Sequence, residues 1–270
     1  MERDGDLALL GERHLRARDG RGGMVVVSGE SGAGKTTLLQ IFADDAGTDA
    51  PVLWGSCDPL STPRPLGPFV DLADDLGDAV KEMLRGAGQP HEIFTAVFEH
   101  LRVTPSVLIV DDLHWADQGT IDLLRFLLRR IRVTSSLVLG AMREDEVGPD
   151  HPVRSLLGDV ARSPDADNVA LQPLSVAAVA ALLDGREGDP ASLHRLTGGN
   201  PFYVAEMLDH DGQEMPRTVR DAILSRTNGL SADAWDLLHL LACAPEAIPD
   251  HLLAPLGIGL LACAPSIAPG

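Results

Sequence analysis

No run of about 18 or more consecutive apolar residues occurs in this 270-residue chain, so no segment is long enough to cross a bilayer as a helix. A basic leader followed by an apolar stretch is also missing from Met1-Glu2-Arg3-Asp4-Gly5-Asp6, and the chain reads as cytoplasmic. Cysteine is scarce: Cys57, Cys243 and Cys263 are odd in number and far apart, with no Cys-x-x-Cys or His-x-x-x-His nearby. That spacing encodes neither a disulfide scaffold nor a zinc site and leaves buried or idle thiols. Positive charge is in deficit, with 22 basic against 40 acidic residues and a net charge of −18. Such a chain repels phosphate backbones and anionic membranes, and no local basic patch offsets this.

What remains is the composition of a folded protein, 44% apolar and 23% charged, with a length suited to one large domain or two small ones. Met24 to Ser28 is a short β-branched run that enters a glycine-rich stretch and then a segment of helical periodicity, Thr37 to Ala43. A second strand is expected at Val52 to Gly55, followed by a proline-rich ordered loop from Cys57 to Pro68. Helices fit Phe69 to Leu84, with a break near Gly77, and His91 to Leu101. Val107 to Val110 is apolar at consecutive positions, as a parallel strand buried on both faces should be, and ends in Asp111-Asp112. A helix from Gln118 to Arg130, a strand from Leu137 to Met142 ending at Arg143, a helix from Val153 to Ala161 and a strand around Val169 to Leu171 complete the pattern. Five strands separated mostly by helices predict an α/β fold with a parallel sheet covered on both faces.

From Ser175 onward only helices are expected: Ser175 to Leu183, Ala191 to Leu196, Pro201 to Asp209, Thr218 to Arg226 and Ala232 to Cys243. The reading is therefore a lead-in segment over 1–22, an α/β domain over 23–173, a small all-helical lid over 174–229, and the start of a winged-helix-like region over 230–270. The uncharged ending, Leu252 to Gly270, repeats Leu-Leu-Ala-Cys-Ala-Pro by coincidence and suggests a chain cut inside a structure that would continue.

Gly29-Glu30-Ser31-Gly32-Ala33-Gly34-Lys35-Thr36-Thr37 carries the pattern Gly-x-x-x-x-Gly-Lys-Thr between a strand and a helix, which is the Walker A loop. Its glycines let successive backbone N–H groups turn inward around a β-phosphate, and the following helix aims its N-terminal dipole there. Gly29, Glu30, Ser31, Gly32, Ala33, Gly34, Lys35, Thr36 and Thr37 are thus the expected nucleotide-binding residues, with Lys35 reaching the β- and γ-phosphates and the Thr36 hydroxyl ligating Mg²⁺. Asp111, ending the strand, is the expected second Mg²⁺ contact, and Asp112 the carboxylate that orients or deprotonates the attacking water. Arg143 stands where a guanidinium could reach the γ-phosphate, with a surface arginine as the plainer alternative. Arg129, Arg130 and Arg132 end a helix, where cations complement the dipole; an arginine finger offered to a neighbouring subunit is the other reading.

Taken together, Gly29 to Thr36, the segment Gly55 to Pro68, Leu108-Ile-Val-Asp-Asp-Leu-His-Trp-Ala-Asp117, the strand ending in Arg143, and Thr197-Gly-Gly-Asn-Pro-Phe202 resemble the ATPase module of the large LuxR-type, MalT-like transcriptional regulators. These are signal-transduction ATPases with numerous domains, a branch of the AAA+-like P-loop NTPases, and the resemblance runs from about Leu15 to Leu256. It implies a sheet of the additional-strand type followed by a helical lid. It further implies a switch that holds ADP at rest, exchanges it for ATP to assemble, and resets by slow hydrolysis. Self-association, or association with related regulators, would be its output. Pro201 would pack on the adenine. Relatives carry a Gly-Arg motif about 25 or more residues ahead of Walker A; here Gly11-Glu12-Arg13 is nearer and differently ordered, so that motif is expected to be missing or degenerate. With no sensor repeats and no helix-turn-helix in the sequence, direct DNA binding by this chain is not expected. The alternatives are a non-hydrolysing interaction fragment or relic, and a P-loop kinase acting on a small molecule; the acidic pair on a separate strand argues against the kinase.

Overall fold

The computed structural model describes residues 2–60, 62, 64–86, 88–209, 217–227 and 230–242. Five strands form one parallel sheet: β1 (Gly23–Gly29), β2 (Val52–Ser56), β3 (Val107–Asp111), β4 (Leu137–Arg143) and β5 (Ala166–Ala170). Their order across the sheet is β2-β3-β4-β1-β5, so β4 stands between the strand that leads into Walker A and the strand that ends in the acidic pair. This is the additional-strand arrangement of AAA+-like P-loop NTPases.

The three central strands are buried along nearly their whole length, which explains their unbroken apolar sequences. Alternate side chains feed two cores. Met24 and Val26 join a layer built with Leu108 and Val110, while Val25 and Val27 join Ile109 and Leu139 on the opposite face. The second face is covered by α1 (Asp4–Arg18) and α2 (Lys35–Ala46), through Leu10, Leu38, Leu39 and Phe42. The first is covered by α3 (Gly67–Asp71), α4 (Asp78–Arg85), α5 (Pro90–Val103), α6 (Gln118–Leu128) and α7 (Val153–Val160). The break expected near Gly77 is real: Gly77 sits at φ 93, a left-handed conformation suited to glycine, immediately before α4.

Two local differences from the sequence reading have physical causes. The lead-in segment contains α1, a 15-residue helix with Asp4 and Asp6 in its first turn and Arg16 and Arg18 in its last, as the helix dipole favours. Its buried stripe is only Leu10, His14 and Ala17, too polar to announce itself as a core face. β5 begins at Ala166, earlier than expected, because this edge strand tolerates Asp167 and Asn168; Asp167 is paired with Arg13 of α1.

After β5 the described residues hold helices alone: α8 (Val176–Leu183), α9 (Pro190–Thr197), α10 (Pro201–Asp209), α11 (Arg217–Arg226) and α12 (Ala232–Ala242). Ser175 caps α8 by accepting from Ala178 N at 3.2 Å, and Asp189 caps α9 by accepting from Ser192 N at 3.0 Å. The chain divides into two compact units, residues 1–205 and 206–270. The apolar ending over 252–270, most of the winged-helix-like region expected over 230–270, Cys243 and Cys263 lie outside the described residues. Among the described residues no helix is long and apolar enough to cross a membrane.

Candidate functional site

The C-terminal ends of β1, β3, β4 and β5 converge on one edge of the sheet, where ligands bind in open α/β folds. Register places Arg143 directly opposite Gly29. The sequence-derived site residues on Walker A, on the acidic pair and at the end of β4 are therefore neighbours, although they are spread over more than a hundred positions of the chain.

The loop from Gly29 to Gly34 needs its glycines. Gly32 is at φ 80 and Gly34 at φ 89, and Gly34 occupies the N-cap of α2 in the left-handed conformation. Lys35, the first residue of α2, is buried; its Nζ donates to Gly29 O at 2.9 Å and Glu30 O at 2.7 Å. Burial holds the Lys35 ammonium below its ordinary pKa, and the nearby Arg143 guanidinium adds to the effect. Thr36 Oγ1 donates to Asp111 Oδ2 at 3.0 Å, and the other carboxylate oxygen of Asp111 accepts from Asp112 N at 2.8 Å. A hydroxyl and a carboxylate held together in this way are the hard oxygen donors that Mg²⁺ takes. No cluster of three or more His, Cys, Asp or Glu fit to hold a metal occurs among the described residues.

Asp112 has a left-handed backbone at φ 55, ψ 42, which Asp tolerates better than most residues. It starts a 3-10 turn over Leu113–Trp115 that is locked from below: Leu113 is fully buried, and a Cβ at Gly140 of β4 would stand 2.5 Å from Leu113 Cδ1. Burial raises the Asp112 carboxyl above its ordinary pKa, Asp111 raises it further, and Arg143 opposes. Arg143 itself pairs with Glu146 Oε1 at 2.6 Å and lies 5.1 Å over the Trp115 ring. Asp117 has a structural task. It caps α6 by accepting from Gly119 N at 2.8 Å, and it holds the proline-rich loop by accepting from Leu66 N at 3.1 Å.

Beside the loop lies a pocket of about 150 Å³ walled by Gly29, Glu30, Ala33, Glu144, the segment Ala170 to Pro173, Asn200 and Pro201. Pro201 thus stands at the position from which it could face a base. Two further groups bind the pocket together: Arg3, which the sequence did not single out, and Asn200, which it offered only within the segment Thr197 to Phe202. Asn200 Nδ2 donates to Ser31 O at 2.8 Å and Phe202 N donates to Gly32 O at 3.3 Å, so the turn that starts α10 is fastened onto the outside of the Walker A loop. A Cβ at Gly32 would lie 2.7 Å from Asn200 Oδ1, which is a second reason for glycine there. Arg3 Nη2 donates to Ala33 O at 3.2 Å and Gln172 O at 2.7 Å, while the carboxylate of Glu2 accepts from Ser175 N at 2.8 Å. Arg3 lies 26 residues ahead of Gly29. Arg3 follows Glu2, so no Gly-Arg pair stands at that spacing, and Arg13 is committed to Asp167 of β5. Cys57 is a buried free thiol whose pKa is pushed up to about 12 by burial and by Asp117, which disfavours its thiolate.

Residues 1–139 match the family of AAA ATPase domains. In three dimensions the chain is similar to the Signal Transduction ATPase with Numerous Domains (STAND) protein with a tetratricopeptide repeat sensor from Pyrococcus horikoshii, with TM-score 0.51 and 19% identity over 92% of this chain and 36% of that one. It is also similar to Cdc6p from Pyrobaculum aerophilum, with TM-score 0.54 and 15% identity over 83% of this chain and 62% of that one. At these identities the likeness is one of fold, and the chain spans about a third of the first protein and less than two thirds of the second. No curated protein matches it in sequence.

Proposed function

From a chain that belongs to the AAA ATPase domain family, we propose a nucleotide-dependent regulatory switch, a module that binds ATP and ADP and hydrolyses ATP slowly, in a signal-transduction ATPase of LuxR type. The observation that carries the reading is the Thr36–Asp111 hydrogen bond at 3.0 Å, which joins Walker A to the acidic strand end beside the pocket of Asn200 and Pro201. A nucleotide would place its phosphates on the loop amides from Gly29 to Thr37 and at the N-terminus of α2. Lys35 would exchange the Gly29 and Glu30 carbonyls for phosphate oxygens, a favourable exchange for a buried ammonium. Pro201 would lie against the base. Mg²⁺ held by Thr36 and, directly or through water, by Asp111 would neutralise charge on the phosphates.

Hydrolysis needs one group to order water in line with the γ-phosphate, and Asp112 is the carboxylate next to the Mg²⁺ contacts whose raised pKa suits a base. Water oxygen forms a bond to the γ-phosphorus, the bond to the β-phosphate oxygen breaks, and Asp112 receives the proton. Arg143 would offer its other guanidinium N–H groups to the γ-phosphate while Nη1 keeps Glu146. The slow reset is the property of a switch. The docking of Asn200 and Phe202 on the loop is the route by which the phosphate state reaches the helices after β5, and through them assembly with further copies or related regulators.

Titration calorimetry of Mg²⁺-ATP and of ADP against wild type and Lys35→Ala tests this. Binding of ADP in the micromolar range or tighter, lost in the variant, is the expected result. Equal affinity in the two proteins overturns the assignment of the loop.

A further inference from the structure

His114 is fixed on three sides. Its side chain is fully buried, its ring lies 4.4 Å from that of Trp115, and its carbonyl is bonded to His151 Nε2 at 2.9 Å. His151 Nδ1 accepts from Val153 N at 3.2 Å, so the His151 proton is on Nε2 and is donated to that carbonyl. The same argument sets the tautomer of His114. Its Nδ1 accepts from Arg143 N at 3.4 Å, which leaves the proton on Nε2. That Nε2 is buried and has no hydrogen-bond partner. Two carboxylates face it just beyond bonding reach, Glu146 Oε2 at 3.5 Å and Asp112 Oδ1 at 3.8 Å. One N–H can serve only one of them, and Glu146 already has a cation, with Arg143 Nη1 on its other oxygen at 2.6 Å.

We propose that His114 is a positioning residue whose Nε2–H takes one oxygen of Asp112 and thereby aims the other at the attacking water. This deepens the ATPase reading and rests on it. The Asp112 backbone is already set by its left-handed conformation and by the bond from its amide to Asp111 Oδ1, so the direction of its carboxylate is decided by what the side chain meets. A donor less than half an ångström from hydrogen-bond range, left without a partner inside the protein, is a cost that a small rotation of Asp112 removes. The imidazole is suited to the task because it stays neutral: burial pushes its pKa down to about 4, with Glu146 pulling the other way. A neutral donor orients the base without the full loss of basicity that an imidazolium would impose.

The test compares His114→Gln, whose amide N–H stands near the place of Nε2, with His114→Asn, which reproduces only the Nδ1 side. Steady-state Mg²⁺-ATP hydrolysis gives kcat and KM, calorimetry gives ADP affinity, and thermal melting checks the fold. His114→Asn is expected to lower kcat by tenfold or more while KM and ADP affinity stay within about twofold, and His114→Gln to recover most of the rate. Imidazole nitrogen NMR on nucleotide-free wild type should show Nδ1 unprotonated and Nε2 protonated, with the Nε2–H signal shifting in Asp112→Asn. A His114→Asn enzyme with wild-type kcat, a parallel change in KM, or a ring protonated at Nδ1 overturns the positioning role. Should neither variant fold, the NMR result alone decides it. A wild type that turns over no Mg²⁺-ATP overturns the ATPase reading, and this inference with it.

Discussion

Asn200→Ala isolates the contact between the helical segment and the phosphate loop. Asn200 is buried, donates to Ser31 O at 2.8 Å and accepts from Phe202 N at 3.1 Å. Alanine removes both bonds. The Phe202 amide keeps Gly32 O at 3.3 Å, whereas the Ser31 carbonyl loses the Asn200 donor. At about 1 kcal/mol for each hydrogen bond the expected loss is about 2 kcal/mol. For a compact unit of 205 residues, at about 2–4 °C per kcal/mol, that lowers Tm by about 4–8 °C. Nucleotide binding should suffer as well, because the loop must now be ordered by the ligand alone; a transfer of about 1.4 kcal/mol of that cost weakens ADP binding roughly tenfold. Asn200→Asp keeps the acceptor for Phe202 N but sets a carboxylate against the Ser31 carbonyl, and should lose at least as much. Differential scanning fluorimetry and calorimetry on the three proteins suffice. An Asn200→Ala protein that melts within 1 °C of wild type and binds ADP equally would refute the idea that this turn holds the loop.

Three further outcomes follow from the same geometry. His114 has a folded-state pKa of about 4 against an unfolded value of 6.5, so between those values the unfolded chain binds the extra proton and stability falls as pH drops, by up to roughly 3 kcal/mol. His14 and His100, both lowered by burial, slope the same way, so denaturant titrations across pH 4–7 should show a reduced but surviving acid limb in His114→Gln. Asp112→Asn removes a carboxylate whose charge burial and Asp111 make costlier than that of an exposed aspartate; Tm should match or exceed wild type while hydrolysis falls about a hundredfold or more, and a lower Tm with hydrolysis retained would contradict both roles. Gly140→Ala drives a methyl to 2.5 Å from Leu113 Cδ1 in a closed core, at a cost of about 1–3 kcal/mol. The displaced turn should lower kcat for hydrolysis more than ADP affinity, and equal losses would count against a turn that aims Asp112.

Where one rule acts over consecutive residues, the sequence was readable. The unbroken apolar runs of β1, β3 and β4 announce strands buried on both faces, and Gly29 to Thr36 announces a strand–loop–helix conformation. Legibility fails where a residue's partner is remote. Arg3 meets Gln172 and Asn200 meets Ser31 across 169 positions each, and neither partner contributes more than a backbone carbonyl, which any residue type supplies. His114 is harder still, because its reading needs the tautomer, and the tautomer is set by the amide of Arg143 at the end of another strand. These three residues share a feature that bears on function. Arg3 and Asn200 each tie a carbonyl of the Walker A loop to the chain beyond β5, and His114 faces carboxylates of two segments, so under the proposed switch each would carry a change at the phosphate loop elsewhere. A switch requires such connections in addition to a binding site, since a ligand shifts an equilibrium only through contacts that differ between its two states. The Asn200 and His114 variants ask whether the connections carry free energy, and Lys35→Ala asks whether the site does.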